Sequence, residues 1–259
     1  MVFKNPYYQI YISNSSCIFE IRVNDMHAVY FNYPGTVAFD QPINHLLLRS
    51  GKQRLTIRML PVAGQSMLNE LSRLEIKVQV MEATGDFSVR QEVIAYTTPA
   101  VNEHTPALEH KLDFDAQFPY VLAGWQHSAS LKNEPGIKEQ LFAWYKMMHE
   151  VIATKDMEAF KKLNAKAYEE DSISIYNSAF MDEHLAEVFG YLADPDYRLV
   201  PLDIDALQLH YFGDGKVVSL LWPDRRPAIY LEFPKDKSQY TLDFFLHRPA
   251  SGNGWEVIR

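Results

Sequence analysis

Histidines and carboxylates fall close together at three places in this chain, and each spacing suggests a different chemistry. Glu103-His104, Glu109-His110, Asp113 and Asp115 supply imidazoles and carboxylates, the ligand types of a zinc site. The six-residue repeat of the Glu-His pair fits neither one helix face nor a standard zinc pair, so a solvated loop is expected here and no metal is assigned. His149-Glu150, followed by Glu169, Glu170, Asp171 and then Asp182-Glu183-His184, begins like a metalloprotease helix. That chemistry needs a second histidine four residues after the first, where the chain has Ala153, so exposed polar helix faces are expected instead.

The third set lies near the C-terminus: His210, Tyr211, Trp222, Tyr230, Asp243 and His247. A curved sheet could carry such a set on its concave face, where an Asp-His pair does general acid–base work on a small apolar substrate. Strict alternation along 240–248 would put Asp243 and His247 on one face and Phe244 and Leu246 on the other. Aromatic residues are equally the usual anchors of protein interfaces. Together with Trp125, these six residues form the candidate binding set; no residue is assigned as catalytic. G-x-S-x-G, P-loop, G-x-G-x-x-G and kinase-type elements are all missing and glycine totals 11, so phosphate-cradling loops are scarce and no cofactor is expected.

These residues need elements to position them. From Tyr7 to Tyr96 short apolar–polar alternations are punctuated by turn residues, as in a sandwich or jelly roll. Strands are expected at 7–12, 17–24, 27–32, 45–50, 54–61 and 73–82. In the last two, Leu55, Ile57 and Met59, then Leu74, Ile76, Val78 and Val80, make one dry face each. Cys17 is expected to be a buried strand residue rather than a nucleophile, and as the lone cysteine it can close no internal disulfide. Residues 97–135 read as a long connection with one strand near 120–126.

At Ile137 the period changes to about 3.6. Ile137, Leu141, Trp144, Tyr145, Met148, Val151 and Ile152 make one helical stripe, Asp156 caps a second helix carrying Met157, Phe160, Leu163 and Ala167, and 181–192 makes a third with Asp182 as its cap. After Pro195 the period returns to two at 206–212, 216–222, 228–233 and 240–248, with Gly213-Asp214-Gly215 and Gly252-Asn253-Gly254 as hairpin turns. The expected fold is therefore two-domain: an all-β sandwich or jelly roll (1–130), then an α+β domain (136–259) of three helices and a curved antiparallel sheet.

Two resemblances sharpen that expectation. Arg22-Val23-Asn24-Asp25, together with the run from Pro42-Ile43-Asn44-His45-Leu46 to Gly51-Lys52-Gln53-Arg54-Leu55, resembles the galactose-binding-like jelly rolls appended to many glycosidases, over residues 7–96. Asp25 stands where that family has Gly, and Gln53 where it has Asn. Sugar binding is often absent in such domains, so the resemblance implies fold before function. The order of helices and strands over 137–259, ending in Trp255-Glu256-Val257-Ile258-Arg259, looks like the NTF2-like or cystatin-like cone, in which a curved sheet wraps a helix.

Composition narrows the function classes. The chain has 259 residues, is 47% hydrophobic and carries a formal charge of −8, which fits a packed soluble protein and argues against a nucleic-acid partner. No apolar run approaches the roughly 20 residues of a membrane span. The start lacks the n- and h-regions of a secretory signal, so a cytoplasmic location is expected for the chain as given, and a periplasmic one if a signal has been removed. The function expected is that of a non-catalytic protein-binding chain, such as a bacterial immunity protein, inhibitor or assembly accessory, capturing a basic protein. The alternatives are a carbohydrate-associated binding module and a small-molecule enzyme of NTF2-like type. Oligomeric state is left open.

Overall fold

The tightest local signal in the N-terminal half is Asn24-Asp25. Both residues adopt left-handed backbone, at φ 52° and 62°, as a two-residue hairpin requires. In the computed structural model they join β2 (Ile18–Val23) to β3 (Met26–Phe31). The structure describes all residues except 1, 2, 34, 85, 86, 103, 251 and 253. Glu103 of the first histidine–acid cluster and Asn253 of the expected C-terminal turn therefore lie outside the described residues.

The chain divides into two compact units: Met1–Leu122 with Ser174–Tyr176, and Ala123–Ile173 with Asn177–Arg259. The first unit adds β1 (Pro6–Ser15), β4 (Ala38–Pro42), β5 (Gly51–Leu60), β6 (Arg73–Glu82), β7 (Gln91–Thr97) and β8 (Leu108–Ala116). They form two antiparallel sheets, ordered β4-β1-β6-β7 and β3-β2-β5-β8. Leu55, Ile57 and Met59 on β5 and Leu74, Ile76, Val78 and Val80 on β6 are all buried, which is the period-two pattern of a sheet with one dry face.

Three expectations fail here. The strand expected at 45–50 is a short 3-10 turn, Asn44–Leu46. Leu46, Leu47 and Leu48 are buried in succession, whereas a strand buries alternate residues. The Asn44 side chain anchors the turn, accepting from Tyr8 N at 2.5 Å and donating to Pro6 O at 3.1 Å and Ser174 O at 2.8 Å. The loop expected around the first histidine–acid cluster contains β8, whose Glu109 and Asp113 pair with Lys111 and Arg54 on the sheet surface. As an edge strand, β8 buries only part of one face, so its alternation is weak; β4 and β7, also edges, escaped notice for the same reason. No strand forms over 120–126; Tyr120 Oη instead donates to Asn44 O at 3.0 Å.

The second unit begins with α1 (Ile137–Ala153), which buries Ile137, Leu141, Trp144, Tyr145, Met148 and Ile152. Asp156 caps α2 (Met157–Leu163), its Oδ1 accepting from Ala159 N at 3.0 Å. The expected second helix does not run on through Ala167. It breaks at Asn164, whose buried Nδ2 donates to Phe160 O at 2.8 Å, and restarts as α3 (Ala165–Ser174). With α4 (Phe180–Ala193) the helices number four among the described residues rather than three. The residue capping α4 is Ala179; Asp182 sits in the first turn, where its charge suits the positive end of the helix dipole.

The strands that follow are β9 (Arg198–Leu199), β10 (Gln208–Phe212), β11 (Val217–Leu221), β12 (Ile229–Phe233), β13 (Ser238–Leu242), β14 (Leu246–His247) and β15 (Glu256–Val257). They pair antiparallel in the orders β13-β12-β9 and β10-β11-β14-β15. The single strand expected over 240–248 is therefore two strands in two sheets, with Asp243–Phe245 between them. The backbone of that corner finds partners outside a ladder: Tyr145 Oη donates to Phe244 O at 2.9 Å, and Phe245 N to Arg259 O at 2.9 Å. Asp243 and His247 consequently share no strand face. Among the described residues no helix is long and apolar enough to cross a membrane.

Candidate functional site

The helix break at Asn164 and the sheet corner at Asp243 line one cleft in the second unit, of about 170 Å³. α2 and α3 contribute Phe160, Tyr168 and Asp171, α4 contributes Phe180 and His184, and the corner contributes Asp243 and Phe244. The apolar wall is ring on ring. Tyr168 meets Phe180 edge-on at 6.2 Å, Phe160 meets Phe244 edge-on at 6.3 Å, and His184 lies parallel to Phe180 at 5.8 Å. Tyr168 Oη is 3.0 Å from His184 Nδ1. Burial lowers the His184 pKa below its usual 6.5, so the ring is neutral at pH 7.

The polar wall is an ion cluster. Arg259 Nη1 lies 2.9 Å from Glu170 Oε2, and Arg259 Nε is 3.9 Å from Asp171 Oδ1. Glu170 also accepts from Gly124 N at 3.0 Å and lies 3.3 Å from Lys166 Nζ. The Arg259 guanidinium sits 5.5 Å over the Trp125 ring. Burial pushes Asp171 up to about 6, with Arg259 pulling against it and Glu170 adding to it.

Asp243 is different. It is open to the cleft, yet protein crowds it closely enough to push its carboxyl up to about 6. Among the described residues no hydrogen bond or ion pair reaches that carboxylate. The cleft thus holds two carboxylates that titrate near neutrality and one arginine already engaged by Glu170, an arrangement able to hold a cation or to carry a proton.

A second hydrogen-bonded chain runs through the other sheet. Ser128 Oγ is 2.6 Å from His247 Nδ1, and His247 Nε2 is 2.9 Å from Glu256 Oε2. The order serine, histidine, acid is that of an activated nucleophile. Ser128 and His247 are only 9% and 3% exposed, so the pair is packed inside the second unit. With Ala129 N donating to Arg248 O at 3.0 Å, the chain fastens the 123–131 segment to β14. Burial lowers the His247 pKa, against the raising effect of Glu256.

The seven sequence candidates separate. Asp243 lines the cleft, and Trp125 lies behind it under Arg259. His247 belongs to the Ser128 chain and makes no pair with Asp243. His210 Nδ1 accepts from Arg225 Nη1 at 2.7 Å. Tyr211 packs against the core of the second unit. Trp222 donates to Ala228 O at 3.3 Å and meets Tyr230 edge-on at 6.2 Å, with Arg226 over Tyr230 at 4.9 Å.

Sequence reasoning missed Tyr168, Glu170, Asp171, His184 and Arg259 as a site. The sequence predicts exposed helix faces for Glu170, Asp171 and His184, but Glu170 is 2% exposed and the other two are partly buried. The only signal was a Tyr-x-Glu-Asp run ahead of a histidine-bearing helix, which any solvated helix pair could show. Compared with protein-family models, with curated proteins and with solved structures, the chain finds no match.

Proposed function

We propose that this chain is a non-catalytic protein-binding protein, of the immunity, inhibitor or assembly-accessory kind, whose acidic second unit captures a basic protein. One observation carries the reading. Asp182, Glu183, Glu187, Asp194, Asp196, Asp203 and Asp205 are all exposed, along α4 and the segment after it, and Arg198 is the one Lys or Arg in that stretch. The second unit has 15 Lys and Arg against 21 Asp and Glu, whereas the first has 10 against 12. A field concentrated this way steers and orients a partner of opposite charge. In this reading the first unit is a sandwich of jelly-roll type that serves as scaffold, and the second is a cone of NTF2-like or cystatin-like type.

The test is affinity capture with the tagged full chain at low and high salt, beside a variant carrying Asp182→Asn, Asp194→Asn, Asp203→Asn and Asp205→Asn. Asn keeps the turn-closing bonds that Asp194 and Asp203 accept from Asp196 N and Asp205 N. A basic partner held by the parent chain at low salt and released by either high salt or the variant supports the proposal. Equal capture by the variant overturns it.

A further inference from the structure

Asp243 lines the cleft and is open to it, and among the described residues no hydrogen bond or ion pair reaches its carboxylate; a partner charge or donor that arrives there would find free lone pairs. Arg259, which lines the cleft, is engaged by Glu170 at 2.9 Å and lies 3.9 Å from Asp171. His184, neutral at pH 7, adds no positive charge. The lining therefore combines the Asp243 carboxylate with the aromatic side chains Phe160, Tyr168, Phe180 and Phe244.

Rings and a carboxylate together select a class of ligand. An aromatic face attracts a cation through its quadrupole, most strongly where water is excluded. A carboxylate with free lone pairs adds charge-assisted hydrogen bonds if that cation has N–H donors. A cleft of about 170 Å³ has room for a short alkyl chain ending in NH₃⁺.

We propose that this cleft is a recognition site for a primary alkylammonium group, with Asp243 as its counter-charge and Tyr168, Phe180 and Phe244 as its walls. The group is either a free small amine or the side chain of a lysine presented by another protein. Phe180 and His184 stand on α4, the helix that also carries exposed Asp182, Glu183 and Glu187, so a basic partner drawn to that strip would have a lysine within reach of the cleft. The site does not depend on such a partner, since a free amine satisfies the same contacts.

The experiment is a titration of the full chain with n-butylammonium chloride, followed by calorimetry and by saturation transfer to the ligand, with n-butanol as the neutral control of equal size. The expected result is binding of the ammonium, at least about tenfold weaker binding of the alcohol, and a loss of about tenfold or more in Asp243→Asn. Asp243→Asn keeps the side-chain shape at an exposed position, so it is expected to fold; its unfolding midpoint is measured alongside. No binding of n-butylammonium, or equal binding by Asp243→Asn or of n-butanol, overturns the proposal. Nα-acetyl-lysine amide separates the two sources: if it binds as tightly as n-butylammonium the site accepts a peptide-borne lysine, and if it binds far more weakly the site is one for free amines. The capture experiment above changes only carboxylates outside the cleft, so loss of amine binding with capture intact overturns this inference alone.

Discussion

Arg259 Nη1 meets Glu170 Oε2 at 2.9 Å with the two side chains only 4% and 2% exposed, so the segment after β15 is locked to the middle of α3. Burial works to raise the Glu170 carboxyl, but Arg259, the Gly124 N–H and Lys166 together outweigh it and hold its pKa below the usual 4.5. Removing one partner strands the other charge. Glu170→Ala or Arg259→Ala is expected to cost about 3–5 kcal/mol in denaturant unfolding. A carboxyl with a depressed folded pKa stabilises fully above its unfolded value and loses that contribution as pH falls through the folded one. Stability of the parent chain should therefore drop below about pH 4.5 more steeply than that of Glu170→Gln.

Tyr145 braces the corner that carries Asp243. Its hydroxyl is buried, donates to Phe244 O at 2.9 Å and lies 3.1 Å from Ser219 Oγ. Tyr145→Phe keeps the ring packing and leaves a buried carbonyl without its donor, at a cost of about 1–3 kcal/mol. Thermal unfolding measures the cost, and amine affinity in the same variant reports how far the corner has shifted. A variant as stable as the parent would show that Ser219 or water takes over the bond.

The parts of this fold legible in the sequence are those where burial follows one period. α1 shows a full apolar stripe, and β5 and β6 alternate cleanly, because each faces a core on one side and water on the other. Edge strands β4, β7 and β8 bury too little to leave that trace. The corner at Asp243–Phe245 was hidden for the opposite reason: Phe244, Phe245 and Leu246 are all buried, and an unbroken apolar run looks the same in a strand as in a bend held by distant partners. The cleft is made by residues from 160 to 259 whose meeting depends on where α2 breaks and where the chain leaves β13. The sequence marks Asp243 as a candidate, but the alternation that pairs it with His247 is cancelled by the corner. Asn24 and Asn44, which carry the jelly-roll resemblance, and Gln53, which departs from it, act structurally: Asn24 Nδ2 donates to Gln53 Oε1 at 2.8 Å and to Leu46 O at 3.0 Å.

Asp243 gives the chain a pH dependence opposite to that of Glu170. Its folded pKa is raised by crowding, from 3.8 to about 6, so its contribution to stability is present below the unfolded value and lost as pH rises through about 6. The group is open to solvent, which limits the effect to about 1 kcal/mol or less. Asp243→Asn is accordingly expected to be more stable than the parent at pH 8 and indistinguishable from it near pH 4. A saturating alkylammonium ligand should abolish the difference at pH 8. Unfolding midpoints at the two pH values, with and without n-butylammonium, check both parts; a destabilised Asp243→Asn at pH 8 would mean that the carboxylate already has a stabilising partner.

Cys17 offers a probe of the first unit. Its thiol is 1% exposed and lies 3.5 Å from Arg73 O. Burial pushes its pKa up to about 11, against smaller lowering effects from hydrogen bonds at Asn14, Ser15 and Arg73. At pH 8 the native thiol is therefore protonated and shielded, and the thiolate that reacts with alkylating reagents forms only when the strands around it open. Iodoacetamide should leave the native chain unmodified and label it fully in denaturant. At intermediate denaturant the labelling rate should track the opening of the first unit. In Glu170→Ala, which alters the second unit, an unchanged Cys17 rate would show that the two units open independently, and an accelerated one would show that they unfold together.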